Sequence, residues 1–104
     1  MEVQRIKYER TGGLTGMRIA ADIEPDQLPE DQARTLMDLL DDMDFNELPE
    51  QMMSGGADQF TYTITVETKK WEHTVTTGDA SASEKMQELV DLLNRLARSH
   101  RKKQ

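Results

Sequence analysis

Residues 58–66, D-Q-F-T-Y-T-I-T-V, put Phe60, Tyr62, Ile64 and Val66 at every second position, with Thr61, Thr63 and Thr65 between them. A period of two places the apolar set on one face of a strand and the threonines on the other. Thr68, Lys69 and Lys70 then reverse the chain into Trp71, His73 and Val75. This predicts a hairpin, although its turn lacks an Asn-Gly pair. Nearer the start, Val3 to Tyr8 reads as a short strand in which Val3 falls on the opposite parity from Ile6 and Tyr8. A bulge or an edge position would account for that. Met17, Ile19, Ala21 and Ile23 alternate with Arg18, Ala20 and Asp22, so a second strand should pair with the first.

Two segments change to helical spacing. Pro25 ends the preceding strand, and Pro29-Glu30-Asp31 has the composition of a first helical turn, where carboxylates meet the positive end of the dipole. Ala33, Leu36, Met37, Leu40 and Met43 follow as an apolar stripe, leaving Asp38, Asp41 and Asp42 to water. Ser81-Ala82-Ser83-Glu84 has the spacing of a capping box, ahead of Met86, Leu89, Val90, Leu93, Leu96 and Ala97. The order is therefore β-β-α-β-β-α, an α+β fold. We expect a four-stranded antiparallel sheet with both helices on one face and the threonine face wet. The two β-β-α units show no residue-level repeat.

The chain of 104 residues fits one domain, expected over 1–97, with a basic tail at 98–104 expected to be disordered. It has no cysteine, which excludes disulfides and thiolate metal sites. No stretch approaches the roughly 20 apolar residues of a membrane span, and the N-terminus lacks a signal peptide's apolar run. The expectation is a cytoplasmic protein. Net charge is −7, with twelve acidic residues between Asp22 and Asp58 against Arg34 alone. Such a field repels nucleic-acid phosphates and anionic membranes, so neither is an expected partner. The cations at Arg95, Arg98, His100, Arg101, Lys102 and Lys103 suit a helix C-terminus that frays into solvent.

Catalytic chemistry finds little to stand on. His73 and Glu72 are strand neighbours and so point to opposite faces, which prevents them from sharing a substrate or metal. His73 fits a structural hydrogen-bond donor better than a base. The acidic positions Asp38, Asp41, Asp42 and Asp44 lack the loop spacing and turning glycine of a calcium site. No enzyme activity, cofactor or metal is expected. Residues 9–18, E-R-T-G-G-L-T-G-M-R, carry three glycines but no following lysine, and they open into a strand rather than a helix. That excludes a phosphate cradle. Gly12, Gly13 and Gly16 suit the positive φ angles of a wide turn. An apolar Leu14 among them has no such explanation.

Taken in order, G-G-L-T-G-M-R (12–18), F-N-E-L-P (45–49), D-Q-F-T-Y-T-I-T-V (58–66), H-T-V (73–75) and the leucines at 89, 92, 93 and 96 resemble the emfourin family. The likeness runs from about Val3 to Leu96. Emfourins are small bacterial protein inhibitors of thermolysin-like (M4) zinc metalloproteases such as protealysin. The resemblance implies a stoichiometric inhibitor, monomeric when free, whose partner is such a protease. It implies a contact site at Gly12, Gly13, Leu14, Thr15, Gly16 and Arg18. Leu14 would then be a central anchor in the apolar pocket on the primed side of the cleft, and Arg18 would steer or hold the loop through a carboxylate. The competing expectation is an interaction domain that uses Thr61, Thr63 and Thr65, or an exposed edge strand, with an unrelated partner.

Overall fold

The computed structural model describes residues 3–12, 18–52, 60–78 and 83–100. It contains five strands and two helices: β1 (Val3–Gly12), β2 (Ile19–Ile23), α1 (Glu30–Asp42), β3 (Gln51–Met52), β4 (Phe60–Thr68), β5 (Glu72–Gly78) and α2 (Glu84–His100). The α+β class stands. The sheet departs from expectation, because it has five strands in the order β2-β1-β4-β5-β3 and is mixed. Four strands are antiparallel as anticipated, while β3 lies parallel to β5, with Gln51 opposite Thr76 and Met52 opposite Thr77. The amide of Thr76 also donates to the carbonyl of Glu50 at 2.8 Å. A two-residue strand has no period for a sequence pattern to display, which is why 51–52 read as irregular.

β1 is longer than Val3 to Tyr8 and lies inside the sheet, paired to β2 on one side and β4 on the other. Its off-parity start is a register shift between Val3 and Arg5, so both Val3 and Ile6 face inward. On the covered face Ile6, Ile23, Ile64, Val66 and Val75 are fully buried against Leu36, Leu40, Leu89 and Leu93 of the two helices. Both helices thus close one face. Tyr8 reaches out of the sheet to α2, where its hydroxyl donates to Oδ1 of Asn94. Across the outer face Thr65 and Thr74 pair through their hydroxyls at 2.9 Å.

Local chemistry sets the element ends. The carbonyl of Pro29 accepts the amide of Ala33, which opens α1. At the other end Asp44 takes φ 49°, a left-handed conformation that Asp tolerates better than bulkier residues, and turns Phe45 inward. α2 starts at Glu84, and Oγ of Ser83 accepts the amide of Met86 at 3.2 Å. Ser83 is therefore the cap; Ser81 lies outside the described residues. The β4–β5 turn uses a threonine where Asn-Gly was absent. Oγ1 of Thr68 accepts the amides of Lys70 and Trp71 at 3.1 and 3.0 Å, and the amide of Thr68 donates to the carbonyl of Trp71 at 2.8 Å.

Phe45 is fully buried and meets the ring of His73 edge-on, with centroids 5.8 Å apart. Nε2 of His73 lies 2.6 Å from the carbonyl oxygen of Leu48. A carbonyl only accepts, so Nε2 carries the proton. These contacts bind the segment after α1 to β5. We expect Phe45→Ala to lower the free energy of unfolding by about 3–5 kcal/mol, and His73→Leu, which strands the Leu48 carbonyl, by about 1–3 kcal/mol. Urea denaturation of the purified variants reads both; a neutral His73→Leu would show that the bond is not structural.

Candidate functional site

The glycine-rich connection leaves the sheet between two anchored roots. Arg10 pairs with Ile19 as the final rung of β1 and β2, while on its other edge β1 continues through Thr11 and Gly12 to meet Thr61 and Phe60 of β4. Gly12 has φ 89°, in the region that favours glycine, so here the sequence requires the residue it has. At the opposite root, Nε of Arg18 lies 2.7 Å from Oε2 of Glu9, with the Arg18 side chain 67% exposed. Of the six expected site residues, the structure thus places Gly12 and Arg18. Gly13, Leu14, Thr15 and Gly16 lie outside the described residues.

Arg18 belongs to the outer face of the sheet. Ala20 is short where its neighbours are long, so Lys7, Glu9, Arg18, Asp22 and Thr63 rise around it and enclose an open depression of about 510 Å³. The charges on this face are locally matched. Arg5 contacts Asp22 at 3.1 Å and Glu24 at 3.4 Å, and Lys7 contacts Glu67 at 3.2 Å. Such exposed pairs hold side chains in place more than they stabilise the fold.

The inner face near the same roots is different. Here the guanidinium carbon of Arg10 sits 4.4 Å from the centroid of the Phe60 ring, and Phe60 lies 6.4 Å from Tyr62. Nε of Arg10 is shut off from solvent and has no hydrogen-bond partner among the described residues. Sequence reasoning missed this pair. Arg10 and Phe60 are fifty positions apart, and only the β1–β4 register brings them together.

The other stretches that carried the family resemblance are occupied structurally. Phe45 and Leu48 are tied to His73, and Tyr62, Ile64 and Val66 fill the core together with Leu89, Leu92, Leu93 and Leu96. Among the described residues no group of three or more His, Asp or Glu is placed to hold a metal ion, and no helix is long and apolar enough to cross a membrane. Among the stretches that carried the resemblance, only the connection between Gly12 and Arg18 is not accounted for by the described core.

The fold and this site define a small α+β scaffold with a short glycine-rich connection between two paired strands, β1 and β2. A family model described as Emfourin matches residues 8–94, and the chain belongs to the emfourin family. Membership implies a protease-inhibitor role. Comparison with curated proteins and with solved structures gave no match.

The two described roots should respond differently to mutation. Gly12→Ala forces a Cβ into a positive-φ position and is expected to lower the free energy of unfolding by about 1–2 kcal/mol. Arg18→Gln removes an exposed pair and should change it by less than about 1 kcal/mol. Chemical denaturation compares them, and equal losses would contradict the assigned roles.

Proposed function

We propose that the chain is a stoichiometric protein inhibitor of a thermolysin-like (M4) zinc metalloprotease and blocks the active-site cleft with the connection from Gly12 to Arg18. Leu14 is the anchor that enters the apolar primed-side pocket, Gly13 and Gly16 let the backbone approach the cleft closely, and Thr15 lies within the same contact. The observation that carries this reading is the anchoring of both roots. β1 is hydrogen-bonded on both sides up to Arg10 and on one side to Gly12, and Glu9 holds Arg18. A connection rooted this way has less freedom left to lose on binding.

The remaining motif residues support the same reading by elimination, since those that are described are engaged in the fold. Inhibition proceeds by exclusion of substrate rather than by capture of the zinc. The chain has no cysteine, and His73 is engaged with Leu48. Steric exclusion asks for no ligand at all.

Titration of a purified M4 protease with the purified protein is expected to give a stoichiometric, reversible loss of peptidase activity; no loss at micromolar excess would reject the proposal. Within that assay Leu14→Asp removes an apolar anchor worth about 1.5–3 kcal/mol when buried and would have to bury a charge in its place. The inhibition constant should rise at least about tenfold while the thermal midpoint stays near that of the parent. An unaltered constant would remove Leu14 from the interface.

A further inference from the structure

We propose that Arg10 is a second contact point for the inhibited enzyme and receives a carboxylate of the partner on the helix-covered side of the connection. The proposal rests on the protease-inhibitor reading and adds a residue outside the stretch from Gly12 to Arg18. Three cations share β1, β2 and their flanks with Arg10, and each has a carboxylate: Arg5 has Asp22 and Glu24, Lys7 has Glu67, and Arg18 has Glu9. Arg10 has none among the described residues. Its guanidinium instead lies across the ring of Phe60, and its Nε is screened from water with its hydrogen unpaired.

A donor left without an acceptor is unfavourable and calls for an explanation; Nε itself is closed to a partner, but Arg10 as a residue is only partly buried. The position agrees with the proposed contact. Arg10 lies opposite Ile19 and Tyr62, while Phe60 lies opposite Gly12, so the stack stands directly beneath the root of the connection. The Phe60 ring covers the guanidinium at 4.4 Å from its centroid, and an arginine carries its N–H donors in a planar fork that suits a carboxylate. Charge points to the same ligand. In a chain of net charge −7, a cation with no carboxylate paired to it among the described residues, beside the contact segment, suits an acidic group on the partner.

The test measures inhibition of an M4 protease by the full chain at low and high salt, for the parent and for Arg10→Gln, Arg10→Lys, Phe60→Leu and Asp58→Asn. Arg10→Gln should raise the inhibition constant about tenfold at low salt and flatten its salt dependence, with the thermal midpoint nearly unchanged. Arg10→Lys should recover only part, because an ammonium is a point charge without the planar fork. An inhibition constant and salt slope equal to the parent's in Arg10→Gln would overturn the proposal. So would parallel losses of thermal midpoint in Arg10→Gln and Phe60→Leu with the salt slope intact, which would make Arg10 a brace for the ring. If Arg10→Gln and Asp58→Asn destabilise alike without changing inhibition, the acceptor is in this chain and the contact is refuted. A parent protein that fails to inhibit at all would instead remove the protease reading, and this contact with it.

Discussion

The pairing of β1 on both of its edges is the constraint from which the rest of this structure follows. A strand with neighbours on either side has its register determined twice, and a slip of one residue would send Ile6 and Tyr8 to the solvent face and Lys7 and Glu9 into the core. The register shift near Val3 absorbs the one mismatch in the pattern at the end remote from Gly12. Toward Gly12 the pairing is regular. The connection that follows therefore starts from a position the sheet has already fixed, and α2 ties to the inner face of that same strand through the Tyr8–Asn94 hydrogen bond.

The division of labour between scaffold and contact follows from burial. Side chains that recur at strand or helix spacing are consumed by the core, and even the polar His73 is used to tie the segment after α1 to the sheet. A protein with so much of its chain committed to one core has few side chains left for recognition. Among the described residues, Glu9, Arg10, Gly12 and Arg18 lie together at one end of the sheet. A binding protein gains from this arrangement because groups held by packing lose little freedom on association.

Much of this was legible from periodicity alone. Phe60, Tyr62, Ile64 and Val66 declared β4 because a half-buried strand must alternate, and Met86 through Ala97 declared α2 because one helix face must be apolar. What failed to show had physical reasons. β3 is too short to have a period. Leu39 is buried although the stripe drawn through Leu36, Met37, Leu40 and Met43 omitted it, since overlapping sets at three- and four-residue spacing do not say which one meets the sheet. Thr68 replaced the usual turn pair with its own hydroxyl, and Ser83 caps α2 where Ser81 had the better spacing. At the candidate site, Gly12 was legible because only glycine suits its backbone, whereas the Arg10–Phe60 stack depends on a register that no local pattern encodes.

The ion pairs on the outer face of the sheet also shape how the molecule looks from afar. Arg5, Lys7 and Arg18 are cancelled at close range by their carboxylates, so that layer projects little field beyond its own surface. On α1, by contrast, Asp31, Asp38 and Asp41 stand exposed without a cation paired to them among the described residues. The charge of the helical layer is thus uneven, negative along α1 and balanced on α2, where Lys85, Arg95 and Arg98 match Glu84, Glu88 and Asp91 in number. An approaching body of like sign is turned away from α1 and left to meet the rest of the surface.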